Sequence, residues 1–163
     1  MDILTSSQLL NILIQALAAG CIGPAFAMLF TVPARYLPLI ALMSALTRGS
    51  RALFVELHIS IIVATFLACC ICSLIFIYFG PKLRTPRPIF TVPCIISLIP
   101  GVDAYTALLS LLSISEGLER EQLAEHITIL FHNGMRAVGI IFAIAVGIAI
   151  PPLFFYKYRH TKL

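Results

Sequence analysis

The run "ISIIVATFLACCICSLIFIYFG", Ile59 to Gly80, contains no charged residue. A hydrocarbon layer about 30 Å thick is crossed by about 20 helical residues, so this stretch alone commits the chain to a bilayer. Composition extends the argument to the rest of the molecule: 60% of the 163 residues are hydrophobic and 11% are charged. Soluble domains carry about 25% charged residues. The mean hydropathy of +1.03 fits an all-α integral membrane protein forming a single membrane domain over 1–163. The connections between apolar runs are short, which leaves no room for a separate soluble catalytic domain.

The same ruler gives five transmembrane helices, at about 8–30, 37–57, 59–80, 89–115 and 133–156. The second is the weakest: it is apolar from Leu37 to Thr47, is interrupted by "TRGSR", and is expected to be short or broken near Gly49. The N-terminal "MDILTSSQLLNILIQ" has no basic residue and no clean cleavage site follows it, so the first run is expected to be a retained span. No lipidation signal is evident.

Lysine and arginine in short loops collect on the cytoplasmic side. With the C-terminus inside, the inner loops hold Arg35, Lys82, Arg84, Arg87, Lys157, Arg159 and Lys162, against Arg48, Arg51 and Arg120 outside. The expected orientation is therefore N-out/C-in, with "EGLEREQLAEH" as an acidic outer loop.

The fourth span is the most informative. Within "PCIISLIPGVDAYTALL", Pro100 removes a backbone donor and crowds the preceding turn, and Gly101 loosens the chain further. Backbone groups released inside a membrane need partners from protein or cavity water. A helix break near Pro100-Gly101 would start a new half-helix whose free N–H groups and positive end face whatever fills the gap. Secondary transporters place substrate at such midplane breaks.

Asp103 follows the break, and an intramembrane acid is a functional candidate by default. It would cap the half-helix, pair with a basic residue or carry a coupling proton. Tyr105 reads either as a buried aromatic with a bonded hydroxyl or as a substrate contact.

The first span offers a second candidate break at Gly23-Pro24, although small residues there suit close helix packing equally well. Arg48 and Arg51 are three residues apart, on one face if helix continues, and guanidinium groups recognise carboxylates. The alternative is a pair of interfacial arginines in an outer loop. Arg136, a turn beyond His132 and Asn133, either snorkels to the headgroups or closes the outer end of a pathway.

Cys21, Cys69, Cys70, Cys72 and Cys94 all lie in apolar runs without zinc-site spacing, so they read as small packing residues. The tetrapeptide "FTVP" occurs at Phe30–Pro33 and again at Phe90–Pro93, which could mark an internal repeat. No zinc-protease helix, nucleophile elbow or channel filter is present, which argues against an enzyme or a pore and implies neither metal nor cofactor.

The segments "FTVPARYLPLIALMSALTRGSR", "ATFLA", "PRPIFTVPCIISLIPGVDAYTALLSLLSIS" and "VGIAIPPLFFYKYR" resemble, in order, the small subunit of the threonine/serine exporter family. The likeness runs from about Gly23 to Arg159. It implies a split exporter in which this chain is the second half, paired with a larger membrane subunit that carries a soluble region. Split pairs of this kind are linked to succinate export, and fused members to threonine and serine export.

Pro100, Gly101 and Tyr105 carry over residue by residue; Asp103 does not. Two five-span halves of opposite orientation make an inverted repeat with substrate between them. The resulting expectation is a subunit of the bacterial inner membrane, multi-pass, that exports a small carboxylate or amino acid by alternating access. The alternative is a non-transporting scaffold that stabilises its partner.

Overall fold

A computed structural model describes residues 5–83, 88–117 and 120–155. The described residues form α1 (Ser6–Leu29), α2 (Leu37–Glu56), α3 (Ile61–Leu83), α4 (Pro88–Ile95), α5 (Gly101–Ser115) and α6 (Arg120–Phe155), with 3₁₀ turns at Ala34–Tyr36 and Ile96–Leu98. They fall into two compact units, one of Met1–Leu98 with Ala143–Leu163 and one of Ile99–Phe142.

In the first unit α1 and α2 form an antiparallel hairpin along a seam of small residues. A Cβ on Gly20 would rest 3.4 Å from the Ala45 Cβ, and one on Gly49 would rest 3.4 Å from the Ala16 Cβ. At Gly23 there is no space at all: an added Cβ would collide with the Ser44 hydroxyl and lie 2.7 Å from the Ser44 Cβ. At the end of the same seam Gln8 Nε2 donates to Glu56 Oε2 at 2.8 Å. Helices in lipid associate through such close backbone approach, because burying apolar surface away from lipid gains little.

This seam corrects the expected break at Gly23-Pro24. Helix α1 runs unbroken through Pro24. Pro24 removes one internal hydrogen bond, but Gly23 is there so that α1 can lie against Ser44. Gly23→Ala is therefore expected to destabilise the chain by about 1–3 kcal/mol. Adding Ser44→Gly should recover part of the loss in a detergent melt, whereas an unchanged melting temperature for Gly23→Ala would contradict the seam.

Helix α2 is likewise continuous through Gly49, contrary to the expected interruption. Both hairpin helices end in the same cap. Thr31 and His58 adopt positive φ, of 56° and 61°. Val32 N–H then bonds back to the Ala27 carbonyl and Ile59 N–H to that of Phe54, at 3.0 and 3.1 Å. This arrangement satisfies carbonyls that a helix end leaves free. The first "FTVP" lies in the α1 cap and the second inside α4, so the repeated tetrapeptide does not mark a repeated structure.

The core of this unit gathers Tyr36, Ile40 and Met43 with Cys69, Cys72, Phe76, Phe90, Cys94 and Leu98. Phe90 meets Tyr36 edge-on at 5.0 Å and stacks with Phe76 at 5.7 Å. Three of the five cysteines are thus small core residues, while Cys21 is exposed and Cys70 half-buried. Helix α6 joins this unit at Gly147, whose added Cβ would lie 2.7 Å from that of Cys69.

Among the described residues, three helices are long and apolar enough to cross a membrane, and the α4–α5 pair would be a fourth as one broken span. Helix α2 supplies the difference from the expected five. Its 20 residues are about 30 Å long, enough to cross, but with Arg48 and Arg51 it is not among the helices apolar enough to do so. The "EGLEREQLAEH" segment corrects a second expectation. From Arg120 it belongs to α6, whose 36 residues extend about 54 Å, several turns more than a bilayer requires.

Candidate functional site

The fourth span is interrupted at the expected place. Helix α4 ends at Ile95, tightens into the 3₁₀ turn and stops; Pro100 has φ −80° and ψ 62°, and α5 begins at Gly101. Pro100 has no N–H to return to the Ile96 carbonyl, and Gly101 N–H turns to the Ile99 carbonyl at 2.9 Å. The carbonyls just before the break therefore lose the partners that a continuous helix would provide.

Two arginines take over those carbonyls. Arg48 Nη1 donates to the Ser97 carbonyl and Arg51 Nη1 to the Leu98 carbonyl, both at 2.9 Å. Their three-residue spacing on α2 puts both guanidinium groups on the face toward the end of the 3₁₀ turn. The free carbonyls carry the negative end of the helix dipole, which favours a cation there. Neither arginine stands in a loop. Arg51 is 8% exposed, a buried charge matched to a backbone acceptor, and Arg48 is half-buried.

Beside Arg48 the hairpin opens into a cleft of about 150 Å³ lined by Gln15, Ala18, Ala19, Ile22, Arg48 and Ser97. The Ser97 hydroxyl is buried and has no hydrogen-bond partner among the described residues. Neither Gln15 nor Ser97 stands out in the sequence. The available signal was Asn11 and Gln15, one turn apart in an otherwise apolar span and linked at 3.3 Å.

The second unit holds the remaining candidates. Asp103 lies in the first turn of α5 but bonds to no cap; its carboxylate pairs with Arg136 of α6 at 3.5 Å. Of the roles open to Asp103, the structure shows the pairing with a basic residue. Arg136 Nε makes no hydrogen bond among the described residues, so the pair is held by charge alone.

With side chains 40% and 19% exposed, such a pair contributes about 1 kcal/mol or less. A double-mutant cycle on Asp103→Asn and Arg136→Gln is expected to give a coupling of that size, and a coupling of several kcal/mol would contradict it. Tyr105 is 62% exposed, so it is not a buried aromatic.

Residues 13–154 match the family described as Threonine/Serine exporter, ThrE. The chain belongs to the threonine/serine exporter family. An uncharacterized protein of Haemophilus influenzae is 32% identical over 151 residues, covering 93% of this chain and 50% of the relative. The chain thus spans about half the length of that relative. No solved structure matches. Membership and the apolar helices make this a membrane protein, and they set the broken span, with its two bracing arginines, within a family described as an exporter.

Proposed function

We propose that the chain is one membrane half of a secondary exporter, oriented N-out/C-in in the bacterial inner membrane. It works with a second, larger half to move a small carboxylate-bearing metabolite outward by alternating access. The observation that carries this reading is the interrupted fourth span, with Arg48 and Arg51 on the carbonyls that precede it. Irregular backbone at membrane depth persists where it lines protein or a cavity. Here it lies next to a cleft that holds a cation.

The relative of twice the length supports a second half, either in the same polypeptide or as a separate subunit. Threonine, serine and a dicarboxylate such as succinate are the substrates to test. Pro100, Gly101 and Tyr105 belong to the pathway in this reading; Asp103 and Arg136 set the start of α5.

One observation favours a scaffold role instead: each arginine already has a backbone acceptor, which is what a purely structural brace needs. The two readings separate in cells lacking the chain but retaining the larger half. Wild-type chain should restore export of labelled threonine or succinate. A chain with Pro100-Gly101 replaced by Ala-Ala should assemble with the larger half without restoring export. Full restoration by that variant would favour the scaffold.

A further inference from the structure

We infer that the cleft between α1 and α2 is a carboxylate-binding site, with Arg48 supplying the charge and Gln15 and Ser97 the orienting hydrogen bonds. Arg51, by contrast, braces the break. The two arginines look equivalent in sequence and are not equivalent in place. Arg51 is buried against the Leu98 carbonyl, and Arg48 lines the cleft. A guanidinium has five N–H donors in a planar fork that matches a carboxylate edge. One Nη1 bond to Ser97 leaves the rest of the fork available to a ligand.

The neighbouring groups fit the same ligand. The Ser97 hydroxyl, buried and without a partner among the described residues, is a donor without its acceptor. Gln15 sits near the middle of α1, where an amide is costly in lipid, and spends one N–H on a 3.3 Å contact with Asn11. No carboxylate is among the residues lining the cleft, so no full negative charge there opposes an anion, and Arg48 offsets the partial charge of the Ser97 carbonyl. Ala18, Ala19 and Ile22 provide an apolar wall for methylene or methyl groups.

A cavity of about 150 Å³ has room for a benzene-sized molecule. That limits the enclosed part of the ligand to a carboxylate on a short carbon chain. A carboxylate on a short carbon chain brings planar oxygens to the guanidinium fork and apolar groups to Ala18, Ala19 and Ile22, whereas phosphate brings nothing to that apolar wall.

The inference rests on the exporter reading for its probes and for the second half. The wild-type chain, purified in detergent with its larger half, is melted in sodium succinate, L-threonine, sodium phosphate or sodium chloride at matched ionic strength. Binding to the folded state raises the melting temperature in proportion to occupancy. Succinate or threonine is expected to raise it, with phosphate no better than chloride. Arg48→Gln should weaken that response by about tenfold or more in concentration, the loss expected for a hydrogen bond to a charged group.

Ala18→Leu fills the cleft without touching the Arg48–Ser97 bond and should abolish the response while the protein stays folded. No shift with either carboxylate, an equal shift with phosphate, or an undiminished shift in Ala18→Leu would each overturn the site. Export of both compounds is measured in parallel. Export without cleft-dependent binding overturns the site and leaves the exporter reading; cleft-dependent binding without export does the reverse.

Discussion

Arg51→Leu is expected to lower the melting temperature of the chain by roughly 2–12 °C and to reduce its yield in the membrane. The substitution keeps the bulk of the side chain and removes the donor to the Leu98 carbonyl. A buried carbonyl left unsatisfied costs about 1–3 kcal/mol. For a chain of this size each kcal/mol shifts the midpoint by about 2–4 °C. Water cannot easily replace the donor, because Arg51 is buried within the hairpin face.

Arg48→Gln should cost less, since Arg48 is half-buried and its acceptor lies at the cleft. Arg51→Lys keeps a charge but replaces the planar fork with a point donor, and should fall between. Equal melting temperatures for all of these variants would contradict a brace at the break.

Replacing Pro100-Gly101 with Ala-Ala is expected to have the largest effect on function. In a continuous helix proline costs about 3 kcal/mol and glycine about 1 kcal/mol relative to alanine. In the wild-type chain both terms oppose continuity, and the two arginine bonds reinforce the break. The double substitution removes the first contribution and restores an N–H that can reach the Ile96 carbonyl. Only the arginines then favour the break. The helix is expected to close over the Ser97 and Leu98 carbonyls, displacing Arg48 and Arg51 and remodelling the cleft. The protein should remain folded, because helical hydrogen bonds replace those it loses.

The features legible in the sequence were those written locally. Ile59 to Gly80 has to cross a bilayer or aggregate, and Pro100 followed by glycine interrupts a helix wherever it stands. Gly23-Pro24 was ambiguous for a physical reason. A glycine that lets a chain bend and a glycine that lets another helix approach look the same until the neighbour is known, and the neighbour here is Ser44, on the next helix. The acidic segment before Asn133 has the hydropathy of a loop. Its Glu, Gln, Leu and Ala residues are good helix formers, and α6 extends through them.

Arg48 and Arg51 could be placed on one face by their spacing, but their acceptors could not be foreseen. The Ser97 and Leu98 carbonyls lie nearly fifty positions along the chain, and backbone acceptors carry no residue signature. Gln15 and Ser97 were missed because each is one unremarkable polar residue in an apolar run. Only the fold brings them together beside Arg48.

The central claim is that the braced break in the fourth span belongs to an export pathway. It is tested most directly by export of labelled threonine and succinate from cells carrying the larger half with either wild-type chain or the Pro100-Gly101 to Ala-Ala variant, at matched membrane levels. Export is expected with the wild-type chain and background efflux with the variant. Wild-type export of either compound by the variant would contradict it.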